Sequence, residues 1–196
     1  MSIWLVVAAY AIGGIPFAFL LARLLGGTDV RYSGSGNIGT ANVLRTTGAS
    51  VALVVLALDL SKGYVVVFAA RTLGCDAVTQ GAVAAAVVTG HMFPVWLKFR
   101  GGKGVATACG AFTVLAPTAA LGATVIFVAG VWLTRYVSVG SMSAALSLTP
   151  LTYLTGASPP VVVSALGVAT LVLLRHRPNV LRLRAGHERR LGERGS

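Results

Sequence analysis

Acidic residues are nearly missing from this chain. Asp and Glu together number 5 in 196 residues, so chemistry built on clustered carboxylates has little to draw on. Cysteine occurs only as Cys75 and Cys109, both in or beside apolar blocks, and histidine three times. Two cysteines support no disulfide framework and no zinc site. There is no HEXXH segment and no Cys/His cluster, so neither a metal nor a cofactor is expected. Charge of either sign is scarce, at 11% of residues against about 25% in a soluble domain. What fills the chain instead is apolar: 56% hydrophobic residues and a mean hydropathy of +0.82. The excess comes in long blocks, which points to membrane spans rather than to one aqueous core. A single membrane-integral domain over residues 1–196 is the expectation.

The first block runs from Ile3 to Ala22 before its first charge and lacks a basic leader, so it reads as a retained helix, not a signal peptide. The spans expected are Ile3–Leu25 (with Gly13, Gly14 and Pro16 marking close packing or a kink), Ala49–Ala70 and Ala77–Leu97. Val105–Thr134 is 30 uncharged residues. As one straight helix it would be about 45 Å long, against a roughly 30 Å hydrocarbon core. A single span would also place Arg135 and the basic tail opposite the Lys98–Gly104 loop. Two short spans, Val105–Ala116 and Thr118–Thr134, bring every basic loop to one side. Val137–Thr155 and Val161–Leu174 complete an all-α, polytopic bundle of about seven transmembrane helices. The N-terminus is then outside and the C-terminus cytoplasmic. The tail holds Arg175, Arg177, Arg182, Arg184, Arg189, Arg190 and Arg194 against Glu188 and Glu193.

The net charge of +11 has two readings, positive-inside bias or the handling of an anionic ligand, and placement decides between them. Three polar segments fall on the same face. Ser33–Arg45, SGSGNIGTANVLR, sets Ser35, Asn37, Thr40 and Asn42 among Gly34, Gly36 and Gly39. Such glycines let backbone N–H groups converge on an anion, and Arg45 adds a planar fork for phosphate or carboxylate. A solvated turn with a helix cap is the plain alternative. Gly90–Gly110 contains RGGKG ahead of a helix, an anion site by geometry and dipole, with Gly101, Gly102 and Gly104 shaping it and Lys103 as the point charge. It is not a Walker A loop, because the spacing differs and no strand precedes it. His91 lies beside Phe93, Pro94 and Trp96, where packing competes with a ligand role; Lys98 and Arg100 read as membrane anchors. In Arg175–Glu188, His176 and Asn179 lie three apart where the last helix leaves the membrane, on one face if the helix survives Pro178. Arg182, Arg184, Arg189 and Arg190 read as a basic amphipathic tail on anionic lipid.

Asp59 and Lys62 stand apart. Each charge costs about 2.5–3.5 kcal/mol at the bilayer centre, and an i,i+3 spacing lets them pair. Function and a structural lock on the second helix are both open readings.

Together the three segments resemble, in order and spacing, the motifs of the bacterial membrane-integral glycerol-3-phosphate acyltransferases that use acyl phosphate as donor. GHMFPVWLKFRGGKGVAT carries the resemblance most specifically and the first segment nearly as much, LDLSKG (Leu58–Gly63) is also typical, and with the hydropathy the resemblance covers nearly the whole chain. The first segment departs from the family's pattern at Ala41, where Thr is usual, and Arg100 replaces a common Lys. His91 is not followed by Asp five positions on, so the H-x4-D pattern of other acyltransferases is absent.

The resemblance implies acyl transfer from acyl phosphate to the 1-hydroxyl of sn-glycerol 3-phosphate, giving lysophosphatidate and phosphate at the cytoplasmic side of the bacterial inner membrane. Both substrates carry phosphate, matching two Gly-rich segments plus Arg45 and Lys103. Acyl phosphate is already activated, so catalysis can be positioning and charge stabilisation. Ser35, Lys103 and Arg45 are the expected catalytic residues. Gly36, Asn37, Gly39, Thr40, Asn42, His91, Gly101, Gly102, Gly104, His176 and Asn179 are the expected substrate contacts. The lipid bilayer, not nucleic acid, is the expected large-scale partner, and the chain is expected to act as a monomer. Two rivals remain from the residues alone. A transporter of organic phosphates would need broken or polar helices at the midplane, and a lipid-binding assembly protein would leave the two Gly-rich segments without a purpose.

Overall fold

The structure, a computed structural model, describes residues 3–192; Glu193 and Arg194 lie outside them. The described residues form helices only: α1 (Ile3–Gly13), α2 (Phe17–Gly26), α3 (Thr40–Thr46), α4 (Ala49–Thr72), α5 (Ala77–Met92), α6 (Val105–Leu115), α7 (Pro117–Thr134), α8 (Val137–Leu154), α9 (Pro159–Arg175) and α10 (Arg177–Arg184), with a short 3-10 turn at Val95–Leu97.

The first apolar block is broken at Gly14–Pro16, where Pro16 can donate no hydrogen bond. Two carbonyls at the break accept from distant side chains. Trp96 Nε1 donates to Gly14 O at 2.6 Å and Lys62 Nζ to Ile15 O at 3.1 Å. Satisfying backbone in this way is the condition for breaking a helix away from water.

The 30-residue block does divide, at Ala116, with Pro117 opening α7. Cys109 Sγ and Thr124 Oγ1 come within 3.6 Å, so the two helices fold back on one another as a hairpin. Four segments are long and apolar enough to span: Ile3–Gly26, Ala49–Thr72, Ala77–Leu97 and Pro117–Thr134. A fifth is added if α9 and α10, bent by 48°, count as one. The remaining two of the expected seven fall short for identifiable reasons. α6 has 11 residues, about 16 Å at 1.5 Å each, and α8 is rich in Ser and Thr.

The bundle is packed with small residues inside and large ones outside. The buried core is mostly Ala and Val, while Trp4, Trp132, Leu133 and Leu154 are more than 70% exposed. That is reasonable only where lipid, as apolar as Leu, is the solvent, and where close backbone approach holds helices together. Glycines make those approaches. A methyl on Gly13 would lie 2.0 Å from Val87 O and one on Gly90 2.1 Å from Tyr10 O, which is the α1–α5 crossing. Gly63 against Thr107 O and Gly110 against Leu60 O, at 2.1 and 2.0 Å, form the α4–α6 crossing. This second crossing sets the start of α6, and with it Lys103.

Candidate active site

The segment from Gly27 to α4 is held from within by Asn42. Its Oδ1 accepts from Ser35 N at 2.8 Å, and its Nδ2 donates to Val30 O and Ser33 O, each at 3.0 Å. The side chain is 1% exposed. Asn42 therefore spends its amide on building the loop and keeps none for a ligand. Val30, Ile38 and Val43 anchor the same loop in a small core with Ala18, Ala22 and Val55. Gly34 adopts a left-handed φ of 63° beside Asn42, and a methyl there would lie 2.3 Å from Asn42 Oδ1. What this scaffold presents outward is Ser35, exposed, with Asn37 and Thr40 half-buried before and at the start of α3. Arg45, in the last turn of α3, donates to Arg189 O at 3.3 Å.

The second segment is a tight loop fastened on both sides. Gly101 N donates to Met92 O and Gly102 N to His91 O, at 3.0 and 3.1 Å. Arg175 grips the opposite edge, Nη2 on Gly101 O at 2.8 Å and Nε on Gly102 O at 3.3 Å, while its guanidinium lies 5.2 Å from the Phe93 ring centroid. Lys98 and Phe99 enter the loop with left-handed φ of 52° and 61°. Such strain persists only where surrounding bonds over-determine it, as those of their amides to Val95 O and Pro94 O do. Lys98 and Arg100 are exposed, in keeping with anchors.

These bonds correct the expected donors. The amides of Gly101 and Gly102 are used inside the loop, and Gly36 N is likewise given to Ser33 O at 3.1 Å. The N–H groups left for an anion are those opening α6, where the first helical bond runs from Ala108 N to Gly104 O and the preceding amides have no partner within the helix. Gly104, at φ 80°, makes the corner that aims them.

The third segment closes the site. α9 ends at Arg175, and Pro178 sits in the first turn of α10, so the chain bends at His176 instead of continuing as one helix. His176 is buried, and its Nδ1 meets Val172 O at 2.8 Å. A carbonyl only accepts, so the proton is on Nδ1 and Nε2 is the acceptor of the neutral ring. Lys103 Nζ donates to Asn179 Oδ1 at 2.5 Å, Asn179 Nδ2 donates to Glu188 Oε1 at 2.6 Å, and Arg182 Nε donates to Glu188 Oε2 at 2.8 Å. Arg182 is thus part of the site and not of a lipid-facing tail, because Glu188 folds back to pair with it. Arg184, Arg189 and Arg190 remain exposed.

Burial drives the Lys103 ammonium down from its ordinary 10.5 to about 8; Glu188 opposes this, and the charges of Arg182, Arg45 and Arg175 add to it. Burial alone would raise the Glu188 carboxyl, but hydrogen bonds from Arg182 and Asn179 hold it below the usual range. Arg182 pairs with Glu188, and Lys103 feels the charges of Glu188, Arg182, Arg45 and Arg175 together. Arg175 and Glu188 were missed by the sequence reading. Neither has a local signature, since Arg175 reaches its partners across 73 and 74 positions.

Comparison with known proteins places the chain in a family. The family model for glycerol-3-phosphate acyltransferase matches residues 3–186. A glycerol-3-phosphate acyltransferase of Syntrophotalea carbinolica is 46% identical over 187 residues, 95% of each chain. One of Thermus thermophilus is 44% identical over 193 residues, covering 98% of this chain and 96% of that one. Among solved structures, the glycerol 3-phosphate form of PlsY (YgiH), an integral membrane glycerol 3-phosphate acyltransferase, superposes with a TM-score of 0.92 at 37% identity, over 97% of this chain and 95% of that one. The lysophosphatidic acid form of the same protein gives 0.89 at 36% identity. An all-helical integral membrane protein with its cationic loops gathered in one place, this chain belongs to the glycerol-3-phosphate acyltransferase family.

Proposed function

We propose that this enzyme transfers a fatty acyl group from acyl phosphate to the 1-hydroxyl of sn-glycerol 3-phosphate, as the first acylation of bacterial phospholipid synthesis. The products are 1-acyl-sn-glycerol 3-phosphate and inorganic phosphate. The observation that carries the reading is the meeting of the polar segments at Lys103: its Nζ donates to Asn179 Oδ1, Arg175 holds the Gly101–Gly102 turn, and the charges of Arg45, Arg175 and Arg182 act on it. Two phosphate-bearing substrates are the anions that such a gathering of cations suits.

In this reading the hydroxyl oxygen attacks the acyl carbon, the bond from that carbon to the phosphate oxygen breaks, and the hydroxyl proton passes to a substrate phosphate. Lys103 and Arg45 stabilise the charge on phosphate, with amides opening α6 and the Ser35 hydroxyl beside them. Asn37 and Thr40, shaped by Gly36, Gly39 and Asn42, orient the acyl phosphate. His176 and Asn179 close the glycerol phosphate side. Gly101, Gly102 and Gly104 hold Lys103 in place, backed by His91. The chain acts as one domain and as a monomer. It has seven spans, counting α1 with α2 as one and each of α4 to α9 as one, with the N-terminus outside. The site then faces the cytoplasm from the inner membrane. Direct bonds among the three polar segments support their sharing one face.

The test uses purified protein in mild detergent with sn-glycerol 3-phosphate and, in turn, palmitoyl phosphate, palmitoyl-CoA and palmitoyl-acyl carrier protein. Phosphate release with lysophosphatidate formation from palmitoyl phosphate alone is expected; turnover only with another donor, or with none, would sink the reading. A second test concerns the proton. Glu188→Gln keeps an acceptor for Asn179 Nδ2 and should retain at least about a tenth of kcat/KM, roughly the weight of one neutral hydrogen bond in place of a charged one. A fall beyond a hundredth would mean that the carboxylate itself takes the proton.

A further inference from the structure

A second polar cluster lies behind the RGGKG loop, on the side away from Asn179. Asp59 and Lys62 of α4 pair at 2.8 Å, each side chain 3% exposed. Lys62 Nζ also reaches His91 Nδ1 at 2.8 Å and Ile15 O at 3.1 Å, and it sits 5.5 Å from the Phe17 ring centroid. An ammonium has three hydrogens and no lone pair. With Asp59 beside it as counter-charge, its short contact to Nδ1 makes that nitrogen an acceptor. Asp59 Oδ1 is 3.5 Å from Nδ1, too long for a competing bond. The His91 proton is therefore on Nε2, and the ring orientation is set by Lys62.

The Nε2 edge abuts the loop. A methyl on Gly102 would lie 2.1 Å from Nε2 and 2.9 Å from Cε1, while the His91 carbonyl takes the Gly102 amide. His91 thus touches the loop by ring and by backbone, one residue before Lys103. The narrow cleft between the Gly14–Ala18 break and this loop is lined by Asp59, His91, Ile38, Pro94, Gly101 and Gly102 among others. Apart from Asp59 and His91, glycine and apolar side chains line it, so the polar side chains facing the ring among the described residues are Lys62 and Asp59.

We propose that Asp59, Lys62 and His91 form a positioning relay that seats the Gly101–Gly102 turn and so aims Lys103 at its phosphate. This rests on the acyl transfer reading above. The rival is a pair whose sole task is to lock α4 into the bundle. The two differ in what an apolar replacement does. Exchanging both members of a buried ion pair for apolar residues of similar volume is often neutral or stabilising, whereas removing one partner is strongly destabilising. A structural lock would therefore survive the double exchange with its activity, and a positioning relay would not.

The experiment compares wild type, Asp59→Leu/Lys62→Met and His91→Asn in detergent, by thermal unfolding and by kcat and KM for each substrate. His91→Asn keeps an acceptor for Lys62 in place of Nδ1 but removes the ring edge from Gly102, so it decides the matter even where the double exchange fails to fold. Expected is at least a tenfold loss of kcat/KM in both folded variants. The loss should also be non-additive with Lys103→Ala, since both act through one group. Wild-type rates in folded His91→Asn, or losses that simply multiply with that of Lys103→Ala, would overturn the relay. Absence of turnover in wild type would instead strike the acyl transfer reading itself.

Discussion

Lys103→Ala is expected to lower kcat/KM by about 10²- to 10³-fold, the range for removing one preorganised charge-stabilising donor. Its thermal midpoint should move little, since the lost partner, Asn179 Oδ1, sits near a guanidinium and a carboxylate that can regroup. Lys103 carries more than its neighbours because it stands at the corner where Gly104 turns into α6, with the helix amides and dipole behind it. Its pH behaviour gives a second readout. With the free-state ammonium pushed down to about 8 by burial and by nearby guanidinium groups, charge is full below that pH and lost above it. Bound phosphate favours the charged form, so kcat/KM should fall up to tenfold per pH unit above about 8. The stability contribution of the same group runs the other way. The folded protein binds its proton less tightly than the unfolded chain, so the burial penalty is complete below about 8 and disappears as pH rises toward 10.5. Lys103→Arg cannot lose its charge and should flatten the alkaline limb of the rate profile. An unchanged limb in that variant would assign the titration elsewhere.

Gly102→Ala is expected to cost about 10²-fold in kcat/KM with the helical bundle intact. The added methyl would lie 2.1 Å from His91 Nε2 and 2.8 Å from Ile38 O, and neither is the loose end of a flexible chain. His91 is held by Lys62, and Ile38 is buried in the small core under the first loop. The turn must therefore back out, against the bonds from Arg175 to Gly101 and Gly102. A misplacement of about 1 Å in a positioning element can cost about 10²-fold. Gly167→Ala in α9 is the matched control. Nothing lies within 4 Å of a methyl there, so turnover should be unchanged and the thermal midpoint equal or higher. Equal losses in the two variants, read by kcat/KM and circular dichroism, would show that the effect is not local to the loop.

Several features were legible without coordinates because they depend on local chemistry or on one long-range rule. The split near Pro117 followed from the charge on either side, and the Cys109–Thr124 contact of the resulting hairpin agrees with it. The break at Gly14–Pro16 was marked by its residues. Lys103 and Arg45 were conspicuous because cations are few and stood in glycine-rich company. Asn42 was legible as polar and well placed, but its direction was not. Only the fold turns its amide inward onto Ser35, Val30 and Ser33.

By itself the sequence determined that this is a multi-pass membrane helix bundle, because hydropathy acts segment by segment. It also marked the three polar segments that the fold brings into contact, since glycine, amide and cation content are local properties. The tertiary structure alone decided which of those groups are free to meet a ligand and which hold the loops together. The amides of Gly101 and Gly102 are consumed by His91 and Met92, Arg182 is drawn in by Glu188, and Lys103 meets an asparagine 76 positions away. The physical reason is that a buried polar group must find a partner, and in a helix bundle the nearest partner is set by the crossings of Gly13 with α5 and Gly63 with α6, not by neighbours along the chain.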